Sequence, residues 1–337
     1  MTGTRANLPD LLIGSYTATG GGNATGISFV AAGPVDGPAD VRTVAVIDDP
    51  SFLAVAGDRV YAVSETVDGS VSAFRRDGSA LEHLWDAPTG GDAPCHVRVD
   101  PSGALVVTNY TSGTVTAISL DPSSPALVTE VLPDATGPVE DRQEGPHAHQ
   151  SVATPDGTVL VADLGGDALH EFRITNDPTI EPVRVHHVAP GVGPRHLAWH
   201  DGDLFVAGEL DGHVHRLRRD DSGSFRTIVS TPTFTGSSAA DSLLSHLEVD
   251  DAGRVYVAVR GRDVVVVLDA ADGGLSLVGS VPSGGVWPRH FARVPGYVLV
   301  ANQMSDAVAV LPVGEDGLPG EAVAQIAVGT PTCVVPV

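Results

Sequence analysis

The chain restarts itself. Five times it opens on a Pro-x-His-like triplet, runs through a short apolar stretch and a Gly-containing turn, and ends a Val-rich segment on one polar residue. These copies are Pro94-Cys95-His96 to Asn109, His147-Ala148-His149 to Asp163, Pro194-Arg195-His196 to Glu209, Leu244-Ser245-His246 to Arg260 and Pro288-Arg289-His290 to Asn302. A degenerate sixth copy runs from Pro50-Ser51-Phe52 to Glu65. Their first residues stand at 50, 94, 147, 194, 244 and 288, so the steps are 44, 53, 47, 50 and 44. A repeat in that range, built from β-type segments, reads as one propeller blade. A propeller carries the same position of every blade to one central channel, so residues far apart in sequence become a single ring.

Within each unit the apolar period is 2, not 3.6. Leu105 to Asn109, Val159 to Asp163 and Val255 to Val259 are short β-branched runs of the kind buried on both faces between stacked blades. A turn precedes each, as at Pro101-Ser102-Gly103, Pro155-Asp156-Gly157 and Asp251-Ala252-Gly253. Third strands follow at Thr114 to Leu120, Leu169 to Ile174, Val264 to Asp269 and Ala307 to Leu311. Fourth strands follow at Val41 to Ile47, Val183 to Val188, Leu275 to Val281 and Ala322 to Val328. No amphipathic helix of ten residues or more is visible. The insertions Pro133 to Gly145 and Thr231 to Asp241 read as polar loops placed just before repeat starts.

The termini complete the count. Leu11 to Tyr16 resembles a second strand with no first strand before it, and Pro331-Thr332-Cys333-Val334-Val335 resembles a repeat start that stops. The last strand should therefore supply the missing one. The expectation is an all-β, seven-bladed propeller of four-stranded antiparallel blades, closed by the C-terminal strand, with residues 1–337 as one domain. Such closure pairs the edge that Leu11 to Tyr16 would otherwise leave open.

Charge narrows the partners. With 19 basic and 42 acidic residues the net charge is −23, and every basic residue is arginine. Such a surface repels phosphate backbones and anionic membranes, so neither nucleic acid nor membrane is expected as a partner. Cys95 and Cys333 stand too far apart for a CxxC motif, which argues against a disulfide framework or a zinc knuckle. Met1 to Asp10 has no apolar signal region and no run of about 18 apolar residues follows. A cytoplasmic monomer without metal or cofactor is expected.

Two series of equivalent positions carry the chemistry. On the innermost strand stand His96, His149 (or His147), His196, His246 and His290, with Phe52 and Cys333 as exceptions. At the end of the second strand stand Ser15, Glu65, Asn109, Asp163, Glu209, Arg260 and Asn302. Arg195 and Arg289 directly precede two of the histidines. Imidazoles, carboxylates and guanidiniums around one channel mouth suit an anionic substrate and proton transfer. A repeated histidine can also be a strand-to-strand hydrogen-bonding element, copied with the repeat. The second series holds a different chemistry in nearly every blade, as expected of a site individualised blade by blade. Glu65, Asn109 and Asp163 could offer oxygens to calcium, but neighbouring arginines oppose a divalent cation.

The chain resembles the seven-bladed propeller lactonases, which include bacterial 6-phosphogluconolactonase and the fungal 3-carboxy-cis,cis-muconate lactonizing enzyme. The motifs that carry the likeness span essentially the whole chain. They are Gly14-Ser15-Tyr16-Thr17, Tyr61 to Glu65, Thr108-Asn109-Tyr110, Gly145 to Gln150, Ala162 to Gly165, Gly193-Pro194-Arg195-His196 and Trp287 to Phe291. The resemblance implies catalysis by His149 or His147 with Arg195, Glu209 and Arg260. Val259 and Phe52 depart from the pattern, where the family often has Asn and His. The expected reaction is metal-independent hydrolysis of a small anionic sugar-acid lactone. Water would be deprotonated by His149 or Glu209, and the oxyanion held by Arg260. Arg195 and Arg289 would grip the substrate anion. His290, His196, His246, His96, Glu65, Asn109 and Asp163 would line the substrate. No Gly-x-Ser-x-Gly elbow appears, which argues against a serine nucleophile. Cycloisomerisation of a carboxylated muconate and a non-catalytic binding propeller are the alternatives.

Overall fold

Seven four-stranded antiparallel sheets stand in a ring in the computed structural model, which describes residues 7–120, 126–235 and 242–337. Each sheet is one blade, and its strands run outward in chain order. The inner strands of the second to seventh blades are Leu53–Ala56, Pro94–Val99, Ala148–Ala153, Pro194–His200, Leu243–Val249 and Pro288–Val294. The first blade takes its inner strand from the other end of the chain. Pro331–Pro336 pairs with Leu11–Ser15, with Leu12 opposite Val335 and Ile13 opposite Val334. A two-stranded ribbon, Asn7–Leu8 with Gly33–Pro34, is added beside that blade. The only helical segments among the described residues are two single 3-10 turns, Ala271–Gly273 and Gln303–Ser305. Of the second insertion, residues 236–241 lie outside the described residues.

Aliphatic β-branched residues hold the ring because both faces of each second and third strand are covered by neighbouring blades. Ala104–Asn109 is buried throughout, and so is Thr114–Ser119. The apolar clusters lie between blades: one joins Phe205, Ala207 and Val214 of the fifth blade to Leu244, Val257 and Val266 of the sixth. The outermost strands face solvent and alternate, as Ala80–Pro88 does.

A repeated backbone device sets the inner strands. The residue before each Pro-headed inner strand has positive φ: Asp49 at 43°, Ala93 at 53°, Gly193 at 58°, Trp287 at 64° and Thr330 at 35°. That left-handed turn is uncommon outside glycine and needs support. Aspartates heading the third strands supply it. Carboxylates of Asp167, Asp263 and Asp306 accept the N–H groups of Gly193, Trp287 and Thr330 at 2.7, 2.8 and 2.8 Å. The two Pro-Arg-His segments are thereby anchored just upstream of their arginines.

Candidate active site

At one mouth of the channel Glu65, Cys95, Tyr110, Arg142, His149, Arg195, Glu209, Arg260 and Arg289 surround a cavity of about 270 Å³. A larger hollow of about 400 Å³ lies on the second blade between residues 67–70 and 86–92, where aspartates are the only ionisable lining. That hollow offers no cation and no imidazole. The channel cavity offers four arginines against two glutamates, hence a formal charge of +2 inside a chain of net −23.

Glu209 is the hub. Its Oε1 lies 2.5 Å from Nη2 of Arg142, and its Oε2 lies 2.8 Å from both Nε of Arg195 and Nη2 of Arg260. Burial alone would raise its pKa. Arg260, Arg195 and Arg142 outweigh burial and hold the carboxyl at about 2. A carboxylate so far below neutrality is a weak proton acceptor, and its evident role is to keep like-charged guanidiniums together. Burial and the neighbouring Arg260 bring Arg195 down to about 9, so it stays charged at neutral pH. The Arg195–Glu209 contact is not aligned as a hydrogen bond, and neither Nε nor Nη1 of Arg195 has a hydrogen-bond partner; nor does Arg260 Nε.

On the opposite wall the Tyr16 hydroxyl donates to Glu65 Oε1 at 2.7 Å. Arg289 Nη2 stands 3.4 Å from Glu65 Oε2, with its guanidinium over the Tyr16 ring, 4.9 Å from the centre. His149 is buried, and its Nδ1 makes no hydrogen bond. Desolvation, followed by the charges of Arg195, Arg289 and Arg260, pushes its pKa well below the usual imidazole range. The ring is neutral at pH 7. Cys95 also lines the cavity, but burial pushes its thiol up to about 12, which removes it as a nucleophile at neutral pH.

The histidines of the inner strands meet below this cavity. His149 and His196 have ring centres 5.2 Å apart, and Nδ1 of His196 is 2.8 Å from Nδ1 of His246. His246 stacks on His290 at 4.0 Å, and Phe52 fills the gap between His96 and His290 at 4.6 and 5.6 Å. His147 stands apart. It stacks on Tyr110 at 4.5 Å, and its Nε2 is 3.2 Å from Glu144. It supports the cavity wall, whereas His149 is part of the lining.

The second sequence series divides into two adjacent positions. Asn109, Asp163 and Asn302 pair with the first residues of their third strands, Thr114, Ala168 and Ala307. In the sixth blade that place belongs to Val259, opposite Val264; in the fifth, the pair Ala207–Val214 leaves it to Gly208. Glu209 and Arg260 are thus one residue further on, equivalent to Tyr110. The pattern has a physical basis. The residue level with the start of the third strand is enclosed by its blade, and the next one turns toward the channel. Accordingly Asn109 donates to the Thr89 carbonyl at 3.2 Å and Thr114 at 2.9 Å. Asp163 accepts from the His147 and Gly166 N–H groups and sits 3.1 Å from His170. Neither lines the cavity, so of the proposed calcium oxygens only Glu65 does. Among the described residues no three His, Cys, Asp or Glu side chains converge as a metal site.

Sequence reasoning missed Arg142, Tyr110 and Tyr16. Tyr110 and Tyr16 stand beside Asn109 and Ser15 in motifs already singled out, and correct strand register identifies them. Arg142 sits in the insertion before the fourth blade, where no repeat exists to align it.

Comparison with known proteins agrees with the fold. The family model "Lactonase, 7-bladed beta-propeller" matches residues 10–336. The chain is 32% identical over 308 residues to the 6-phosphogluconolactonase of Bacillus subtilis, covering 86% of this chain and 87% of that one. A putative 6-phosphogluconolactonase from Bacteroides fragilis superposes with a TM-score of 0.86 at 27% identity, covering 99% of each chain. The periplasmic gluconolactonase of Pseudomonas aeruginosa superposes with a TM-score of 0.84 at 25% identity, covering 98% of this chain and 99% of that one. The ring of blades, its C-terminal closure and the match across nearly the whole chain make this protein a member of the seven-bladed β-propeller lactonase family.

Proposed function

We propose that the protein hydrolyses the ring ester of a small anionic sugar-acid lactone, of the 6-phosphogluconolactone type, without a metal ion. One observation carries this reading: a neutral, buried imidazole shares a cavity with four guanidiniums, in a chain whose surface is strongly acidic. The positive cavity favours an anion over neutral sugars, and the named activities of the relatives point to lactones.

In the reaction, His149 takes a proton from water as the water oxygen bonds to the lactone carbonyl carbon. The carbonyl electron pair moves to its oxygen, which Arg260 stabilises. Collapse breaks the ring C–O bond, and the departing ring oxygen receives the proton from His149. Arg289 and Arg195 hold the remote phosphate or carboxylate. Glu209 keeps Arg142, Arg195 and Arg260 in place.

Purified protein treated with EDTA should open 6-phosphogluconolactone faster than gluconolactone, followed by acid release. Activity that returns only with added metal would overturn the metal-free reading. Turnover of carboxylated muconates alone would assign the cavity to cycloisomerisation, and no turnover of either class would leave a binding propeller.

The arginines should separate kinetically. Arg289→Ala should raise KM with kcat nearly intact, because a remote anion is held equally in ground and transition states. Arg260→Ala should depress kcat by about 10²-fold or more at similar KM. Loss of binding alone in Arg260→Ala would move that residue to the anion grip.

A further inference from the structure

Beneath the main cavity lies a second, much smaller one, of about 10 Å³. Ser51, Phe52, Cys95, His149, Arg195, His196, Arg289, His290 and Thr332 enclose it. Four of these, Cys95, His149, Arg195 and Arg289, also line the upper cavity, so the two chambers share a partition. About 10–15 Å³ is the space one water molecule requires, provided two to four polar partners are present.

The partners are there. Ser51 Oγ, His149 Nδ1 and Arg195 Nη1 are all buried, and none makes a hydrogen bond within the protein. Ser51 is 3% exposed, His149 6% and Arg195 3%. A buried polar atom left without a partner loses its hydration with nothing in return. Three residues that each carry such an atom enclose this one small space.

Ser51 occupies the position that precedes the ring residue in its blade, the place held by Arg195 and Arg289 in theirs. Its backbone is fixed on both sides: its N–H donates to the Asp49 carbonyl at 2.6 Å, and its carbonyl accepts from Thr332 Oγ1 at 2.9 Å. The hydroxyl is the only part of Ser51 left to bind anything. Phe52, where four other blades carry histidine, walls the chamber with an apolar ring. A single small polar guest fits, and a substrate anion does not.

We infer that this chamber seats the hydrolytic water, held by Ser51 Oγ beside His149 and presented to the lactone carbonyl from the channel side while the substrate fills the upper cavity. Ser51 is then a positioning residue. It keeps the water within reach of the base and leaves the proton transfer to His149. The inference rests on the lactone-hydrolysis reading above and adds to it the side of attack. It also explains how an open, positively charged mouth can fill with substrate without expelling the nucleophile.

The test is Ser51→Val, which fills the chamber and removes the hydroxyl, alongside Ser51→Ala, which removes the hydroxyl alone. Steady-state hydrolysis of the best lactone and thermal melting are measured for each. Ser51→Val should lower kcat by about tenfold or more with KM nearly unchanged. Ser51→Ala should lower it a few-fold, at the wild-type melting temperature. A merely structural role would instead move melting, or kcat and KM together. If Ser51→Val does not fold, Ser51→Ala decides by the same split. Wild-type kcat in a folded variant of either kind overturns the water seat while leaving lactone hydrolysis intact. A wild-type protein that opens no lactone overturns the underlying reading first, so the two failures are distinguishable.

Discussion

Replacing His149 by alanine should lower kcat by about 10² to 10⁴-fold and leave KM within a small factor, because a general base acts in the transition state. The ring is well placed for that work. The Thr108 hydroxyl and the Cys95 thiol, the latter at 3.4 Å, both donate to the His149 carbonyl, and Tyr110 meets the ring edge-on at 5.7 Å. Burial and three neighbouring arginines hold its pKa well below the usual value. The base is therefore available at every physiological pH. In the wild type, kcat/KM should stay level as pH falls through 6.5 and drop only well below it, about tenfold per pH unit once His149 protonates. A limb centred near 6.5 would point to an exposed histidine as the base instead. Melting must be followed over the same range, since His96, His149, His196, His246 and His290 all have depressed pKa values in the fold. Below pH 6.5 the unfolded chain binds more protons than the folded one. Stability that is full above that pH is lost as pH falls. A His149→Ala variant with wild-type kcat would remove this residue from the chemistry.

The fold was legible because the repeat writes it out seven times. Even the shared blade could be read, since Pro331-Thr332-Cys333 repeats the inner-strand opening and Leu11 to Ser15 lacks one. The site was legible in part. The inner strands align on their triplets, so His96, His196, His246, His290 and the two Pro-Arg-His arginines stand in register, but His149 stands one residue early, at the place of Cys95 and Arg195, and Gln150 takes the ring position. The second-strand exits have no such anchor. There the polar residue falls at either of two successive positions, as in Asp163-Leu164, Gly208-Glu209 and Val259-Arg260, and the sequence does not show which position its blade encloses. Asn109 and Asp163 therefore look equivalent to Glu209 and Arg260 in the sequence, although their side chains are tied to neighbouring backbone and strands away from the cavity. Their partners, the Thr89 carbonyl and the His147 N–H, lie 20 and 16 residues away and become visible only in three dimensions. Arg142 shows the other limit. Its partner Glu209 is 67 residues distant, and no repeat predicts that approach. Charge could not be read from the sequence either: three guanidiniums surround the Glu209 carboxylate and keep it ionised, and three also lower the pKa of His149 and keep its ring neutral.

Truncation after Gly329 should cost most of the protein's stability, which tests how far the active site depends on ring closure. The segment Pro331–Pro336 buries Cys333 and Val334 almost completely, one in the core between the first two blades and the other between the first and the last. Burying side chains of this kind is worth about 1.5–3 kcal/mol each, and each ladder hydrogen bond about 0.5–1.5 kcal/mol net. Together these approach roughly 5–10 kcal/mol, comparable with the whole net stability of an ordinary domain. Removal also bares the edge of Leu11–Ser15, an apolar strand that invites pairing with other chains. The site would feel the loss directly. Thr332 ties to the Ser51 carbonyl, and the Val334 N–H reaches Nδ1 of His290 at 3.4 Å. The truncated chain should thus be recovered mainly as aggregate, and any soluble fraction should melt far below the full-length protein and bind no substrate. Supplying residues 330–337 as a separate peptide should restore part of the melting temperature if edge pairing is the cause. A truncated protein that stays soluble and melts with the full-length chain would show that the six self-contained blades hold the channel unaided.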